Sequence, residues 1–79
     1  MKNNEKHNLV DILHDMLKSK DGSERAARLN EVCRVCQIPG DVLVSFVKEG
    51  YESDWSLNQL KYRIVGWMQT NKISTAHIE

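Results

Sequence analysis

The stretch that decides the fold runs from Leu29 to Val47 and reads LNEVCRVCQIPGDVLVSFV. It holds both cysteines, the single proline and the densest apolar run of the chain. The residue before a proline is pushed out of helical backbone angles, so Ile38 separates two helical segments. Pro39 and Gly40 then form a corner. The stretch therefore predicts a helix, a tight corner and a second helix.

Two helical patterns precede the corner. Leu9, Leu13 and Met16 recur at steps of three and four residues, which predicts an amphipathic first helix from about residue 4 to residue 20. Asp21 is expected to cap the second helix, with Glu24 reaching back as in a capping box. The residues expected on the buried face of that second helix are Ala26, Leu29, Val32, Cys33 and Cys36.

The third helix starts at the corner and is expected to be short. Glycine commonly ends a helix, so Gly50 is expected to stop it near Glu49. Residues 51–54 then form a connector to the last helix. A compact bundle fits this pattern better than a long up-and-down bundle, because a helix of about three turns is too short to span one.

The last helix is expected to extend to about Asn71. Its start is open, because Ser53 or Asp54 can cap it and Ser56 with Gln59 forms a competing capping box. The apolar face of this helix consists of Leu57, Leu60, Ile64 and Trp67, with Met68 at its edge.

Two C-terminal features complete the expected fold. Gly66 weakens the middle of a helix by about 1 kcal/mol relative to alanine, which predicts the close approach of another backbone. Residues 73–79 show no helical period and are expected to fray. The sequence thus predicts a single all-α domain over residues 1–79, a compact bundle of four helices in which about residues 4–72 are ordered.

Composition restricts the classes of function. The chain has 79 residues, enough for one domain, and its 41% hydrophobic and 28% charged residues are typical of a folded protein. Its 11 basic and 11 acidic residues cancel, so no overall field attracts nucleic acid or an anionic membrane. No apolar stretch approaches the roughly 20 residues of a membrane span, and no secretion signal is evident. Two cysteines are too few for a disulfide-stapled secreted domain, so we expect a cytoplasmic protein with reduced thiols.

The segment from Leu29 to Lys48 resembles the helix-turn-helix motif. The buried positions of that motif fall on Val32, Cys36, Ile38, Leu43 and Phe46, and its small residue at the helix crossing falls on Cys33. The segment departs from the motif at Gln37, where glycine is usual, and at Pro39, where a capping serine or threonine is common. The resemblance implies a helix-turn-helix-like core over a quarter of the chain, and such cores also serve many proteins that never touch DNA.

DNA binding is the alternative function that this resemblance implies. DNA-binding members read base edges from the second helix of the motif with Arg, Lys, Asn or Gln. The outward positions here are Gly40, Asp41, Val44, Ser45 and Lys48, which include one cation and one carboxylate. A DNA-binding regulator, dimeric in this hypothesis, would read bases through Val44, Ser45 and Lys48. It would hold phosphates with Arg25, Arg28, Lys61, Arg63 and Lys72.

Protein binding is the function that the same helix favours. Val42 and Val44 point in different directions on a short helix, so one of them is expected to stay exposed. With Tyr51 and Trp55 they form a small apolar and aromatic patch, which is typical of partner sites unless the first and last helices cover it. We therefore expect a non-enzymatic regulatory or adaptor module, compatible with a homodimer. Its partner-binding residues are Val42, Val44, Ser45, Lys48, Tyr51 and Trp55.

Exposed aromatic residues next to cations suggest another alternative, a stacking surface for single-stranded nucleic acid. Trp55 and Tyr62 lie near Lys61 and Arg63 in the sequence. Trp67 belongs to the apolar face of the last helix and is expected in the core. The stacking hypothesis therefore depends on Trp55 and Tyr62 alone.

Cys33 and Cys36 have the C-x-x-C spacing of redox and metal sites, which is the third hypothesis. Both lie on one face of a helix, and the chain supplies no further ligands at a spacing that suits zinc, so we expect them to pack in the core. His7, Asp11 and His14 are expected on one face of the first helix. The two histidines are about 10 Å apart along the axis, too far to hold one ion. We expect no catalytic residue, metal or cofactor.

Overall fold

The structure, a computed structural model, describes residues 6–79. It contains four helices, α1 (Leu9–Lys18), α2 (Gly22–Cys36), α3 (Gly40–Ser53) and α4 (Leu57–Thr70). Over residues 6–79 no strand is present, and only His7 and Ile78 form an isolated bridge. The all-α class and the four helices predicted from the sequence are confirmed.

The start of α1 is set by Asn8. The Asn8 side chain accepts a hydrogen bond from the Asp11 amide at 3.2 Å, which satisfies one of the unpaired donors of the first turn. The helix therefore begins later than residue 4, and residues 4 and 5 lie outside the described part of the chain. His7 precedes the helix, so the prediction that His7, Asp11 and His14 share a helical face is wrong.

Residues 37–39 form the corner between α2 and α3. Asp21 caps the start of α2, as predicted, by accepting from the Ser23 amide at 2.9 Å, but within the described residues the Glu24 side chain does not complete the predicted capping box. Gln37 ends α2 in the left-handed region, with φ 54° and ψ 39°, and the Ile38 amide donates to the Cys33 carbonyl at 3.1 Å. Pro39 is extended, and α3 begins at the next residue. The predicted helix, corner and helix are therefore present.

The predicted end of α3 near Glu49 is wrong, because Gly50 is buried inside the helix. A Cβ at Gly50 would lie 3.2 Å from Cε3 of Trp55, so the glycine makes room for the indole. The Trp55 amide donates to the Gly50 carbonyl at 2.8 Å. The helix continues to Ser53 and ends where Asp54 takes up left-handed angles, φ 56° and ψ 47°. Residues 51–53 are thus helical rather than part of a connector.

The core is built from aliphatic and sulfur-containing side chains. Only the C-terminal half of α2 contributes to it, through Val32, Val35 and Cys36, so the prediction of a buried Ala26 is wrong. In α4 the fully buried Met68 takes the central position expected for Trp67, which is half-buried at the edge. The buried apolar residues are Leu9, Leu13, Met16, Val32, Val35, Cys36, Ile38, Leu43, Leu60, Ile64 and Met68.

The C-terminal segment packs on the bundle instead of fraying. The His7 amide donates to the His77 carbonyl, and the Glu79 amide donates to the His7 carbonyl, both at 2.8 Å. Nε2 of His77 lies 2.7 Å from the Val35 carbonyl oxygen, and Ile78 packs against the core. The expectation of a frayed segment over residues 73–79 was wrong because these contacts join residues far apart in sequence.

Of the helix pairs in the described residues, one lacks close backbone contact, the pair of α1 and α3. Close backbone contacts join α1 to α2 and α4, α3 to α2 and α4, and α2 to α4. The backbones of α1 and α3 make no such contact within the described residues. None of the four helices is both long enough and apolar enough to cross a membrane, within residues 6–79. The separation of α1 from α3 leaves space for a groove beside α3.

Candidate protein-binding groove

A groove of about 230 Å³ lies where α3 faces α1 and the start of α2. Apolar side chains from all three helices form most of its lining, and two cations and a tyrosine complete it. We call it the α3 groove. Its lining residues are Met16, Leu17, Arg25, Leu29, Val44, Val47, Lys48 and Tyr51.

A second pocket of about 170 Å³ continues the α3 groove toward the start of α4. Leu17, Val47 and Tyr51 line both spaces, so Tyr51 stands at their junction. The far end of the second pocket is formed by Trp55, Leu57 and Leu60, among others. The two spaces together form an elongated apolar depression alongside α3.

The charged end of the α3 groove carries Arg25 and Lys48. Nη2 of Arg25 donates a hydrogen bond of 2.6 Å to the carbonyl oxygen of Ser19, which ties the start of α2 to the end of α1. Lys48 has no carboxylate partner among residues 6–79. Asp54 lies at the opposite end, in the second pocket. The depression is therefore positive at one end and negative at the other.

The six residues predicted to bind a partner do not all lie on one surface, because four of them line the depression and two do not. Val44 and Tyr51 are exposed by 37% and 69%, and both line the α3 groove with Lys48. Trp55 lies in the adjoining pocket, where it is half-buried. Val42 packs against the core and, like the exposed Ser45, lines neither space. Val44 is therefore the valine that stays exposed.

Two of the six cations of the DNA-binding alternative are paired with carboxylates within the described residues. Arg28 lies 3.5 Å from Glu31, and Arg63 lies 3.5 Å from Glu49. The Arg63 guanidinium also lies 5.5 Å from the ring centres of Phe46 and Trp55. Such contacts compete with phosphate for the same charges.

The two cysteines lie in an environment that keeps their thiols protonated. Burial raises the pKa of Cys36 to about 11, and the neighbouring Cys33 adds to the shift. Burial also raises the pKa of Cys33 above its usual value. Thiolates, rather than thiols, bind metals and attack disulfides, so these pKa values favour packing over redox or metal chemistry. No group of three His, Cys, Asp or Glu side chains suited to a metal occurs within the described residues.

Several residues of the α3 groove were not predicted as site residues. Met16 and Leu29 were assigned only to apolar helix faces, and Arg25 only to phosphate contacts. One signal for Leu17 is present in the sequence, because Ile12, Leu13, Met16 and Leu17 make the apolar face of α1 too wide for a single contact. Leu29 gives no comparable signal, since its place in the groove depends on how α2 meets α3.

The five aromatic residues all lie outside the fully buried core. Tyr62 is 68% exposed, in agreement with the sequence, and Trp67 is half-buried rather than enclosed. Tyr62 and Trp67 line a shallow groove on α4 together with Phe46 and Arg63. Aromatic side chains therefore border both the α3 depression and the groove on α4, and a shallow pocket lined by Trp55 and Tyr62 lies between the two.

Comparisons with known proteins give no assignment. A scan against models of protein families found no match, and searches of curated proteins and of solved structures found no match either.

Proposed function

We propose that the protein is a non-enzymatic regulatory or adaptor module that binds a protein partner in the α3 groove. The supporting observation is that Val44 and Tyr51, both exposed, border an elongated apolar depression between helices that lack close backbone contact. Exposed aromatic and aliphatic side chains around a concave apolar surface are typical of partner sites. The partner buries Tyr51 and Val44 and thereby removes their apolar surface from water.

Tyr51 is the expected centre of the binding energy. It is 69% exposed and lies at the junction of the two pockets, so a partner that fills both must cover its ring. Full burial of a large apolar side chain contributes roughly 1.5–3 kcal/mol. Lys48 and Arg25 at the charged end then favour a partner that carries a carboxylate there.

The test is affinity capture from the native cell, followed by titration of the purified partner. Val44→Asp places a charge on the rim of the groove, where partner binding would desolvate it. We expect binding at least about thirtyfold weaker, which corresponds to roughly 2 kcal/mol. The helical circular dichroism should stay unchanged, because Val44 is exposed.

A matched control introduces the same charge elsewhere. Asn58 is exposed on α4 and lines neither the α3 groove nor the pocket that adjoins it. Asn58→Asp should therefore bind the partner as the native protein does. Equal binding by Val44→Asp and Asn58→Asp would count against the α3 groove as the partner site.

Helix-turn-helix DNA binding is the second candidate function. One observation favours it: Gln37 has left-handed angles at the position where the motif usually has glycine. The exposed Val44, Ser45 and Lys48 would then face the DNA bases. Binding to random duplex DNA in a salt titration tests this candidate, because phosphate neutralisation is strongest at low salt. Absence of binding at about 50 mM salt would exclude it.

A further inference from the structure

Gly66 has no packing reason to be glycine within the described residues. It lies in the middle of α4, where glycine destabilises a helix relative to alanine. A Cβ built on Gly66 meets no atom within 4 Å, so the close approach of another backbone predicted from the sequence is absent. The missing side chain instead leaves the floor of a shallow groove open.

This groove, about 400 Å³ in volume, has aromatic walls. It is lined by Phe46, Tyr62, Arg63, Gly66, Trp67 and Thr70, which we call the α4 face. None of these residues lines the α3 groove. The α4 face and the proposed partner site in the α3 groove therefore use different residues.

The α4 face carries both a projection and a hollow that are spaced for each other. Tyr62, 68% exposed, is the projection, and the space above Gly66 is the hollow. They are four residues apart on one helix face. Two α4 helices crossing antiparallel, with the two-fold axis at the level of Ile64, would place each Tyr62 over the other copy's Gly66. Such a closed, self-complementary arrangement is the form that a two-fold symmetric interface takes.

Charge also favours a second copy of this chain over a charged partner. Arg63 of the α4 face lies 3.5 Å from Glu49, so two faces that meet do not oppose unpaired Arg63 charges, and the Lys61 ammonium lies 5.8 Å from the centre of the Tyr62 ring. The formal net charge of the chain is zero, which removes long-range repulsion between copies.

We propose that the protein forms a two-fold symmetric homodimer through the α4 face, in which Tyr62 of each copy packs over Gly66 of the other. The face contains fewer residues than the roughly 20–30 per side of a standard interface, so the dimer is weak. Its dissociation constant should lie between about 1 μM and 1 mM.

Sedimentation equilibrium over increasing protein concentration tests the dimer. We expect the native chain to shift from monomer to dimer, and Tyr62→Ala to weaken association at least about tenfold. Gly66→Leu fills the hollow and should weaken association similarly, while its circular dichroism stays helical because leucine favours helix. Tyr51→Ala is the matched control, since Tyr51 is equally exposed and lies outside the α4 face, and it should dimerise as the native chain does.

Two results would overturn the proposal. One is a native chain that remains monomeric up to about 1 mM. The other is a dimer that Tyr62→Ala and Gly66→Leu leave unchanged. If the native chain is monomeric, binding of poly-uridine detected by tryptophan fluorescence would assign the aromatic surface to single-stranded nucleic acid instead.

Discussion

Gly50 and Gly66 occupy helix interiors for opposite reasons. At Gly50 an added Cβ would lie 3.2 Å from the Trp55 ring. The position of that ring is held by the hydrogen bond from the Trp55 amide to the Gly50 carbonyl and by the Arg63 guanidinium, 5.5 Å from the ring centre. At Gly66 an added Cβ meets nothing within 4 Å. One glycine is therefore required by the fold of the single chain and the other is not.

We expect Gly66→Ala to raise the free energy of unfolding of the monomer by about 1 kcal/mol, because alanine favours the helix and meets no neighbour. Gly50→Ala gains the same helix propensity but forces the Trp55 ring to move, so it should be at least about 1 kcal/mol less stable than Gly66→Ala. Urea unfolding at low protein concentration measures both. Equal stabilisation by the two substitutions would contradict the tight contact at Gly50.

Cys36 makes the free energy of unfolding depend on pH in the alkaline range. Its side chain is fully buried, and burial raises the pKa of its thiol from 9.0 to about 11. The unfolded chain releases this proton at lower pH than the folded chain does, so the stabilisation is complete below pH 9 and is lost as pH rises toward about 11.

The free energy of unfolding of the native protein should therefore fall more steeply between pH 9 and about 11 than that of Cys36→Ala. All other ionisable groups are common to both proteins, so the difference between the two slopes reports Cys36 and its interaction with Cys33. Denaturant unfolding across this pH range measures the slopes. Parallel curves for the two proteins would show that Cys36 titrates as it does in the unfolded chain.

At the scale of helices, the ends of α3 and α4 are set by different local interactions. Left-handed Asp54 ends α3, and Ser56 starts α4 with a complete capping box. The Ser56 hydroxyl accepts from the Gln59 amide at 3.2 Å, and the Gln59 side chain accepts from the Ser56 amide at 2.8 Å. The turn between the two helices is thereby reduced to residues 54–56.

Ser56→Ala should lower the free energy of unfolding by about 1 kcal/mol, since it leaves a helix N-terminal amide without its acceptor. Ser53, which the sequence allows as a competing cap, is the last residue of α3 and is exposed. Ser53→Ala should change stability by less than about 0.5 kcal/mol. Thermal or urea unfolding measures the stability of both variants. A larger loss of stability for Ser53→Ala than for Ser56→Ala would contradict Ser56 as the N-cap of α4.

The helices that sequence patterns predicted well are those whose ends depend on local chemistry. Asp21 and the Ser56 capping box mark the starts of α2 and α4, and the corner at Pro39 follows from the restricted backbone of proline. The end of α3 was not predictable in this way, because a glycine that usually ends a helix is here required by Trp55, five residues later. The contact of residues 77–79 with His7 spans nearly the whole described chain, and no local pattern reports it.

At the scale of the whole molecule, the candidate site depends on how helices are arranged. The sequence predicted an apolar patch with Tyr51 and one exposed valine, Val42 or Val44, without saying which valine it is. The α3 groove itself needs the separation of α1 from α3. Leu17 and Leu29 line it only because α1 and α2 lie at this distance from the outer face of α3. Sequence periodicity assigns a residue to a helix face, and it does not say which neighbour that face meets.

The two exposed tyrosines allow the most direct test of partner binding in the α3 groove. Tyr51 and Tyr62 are exposed to nearly the same extent, on α3 and α4 respectively, so their alanine variants differ mainly in which surface loses a ring. The measurement is the affinity of each variant for the captured protein partner. We expect Tyr51→Ala to bind at least about tenfold more weakly than the native chain and Tyr62→Ala to bind as tightly as it does. Unchanged affinity of Tyr51→Ala would contradict a partner site in the α3 groove.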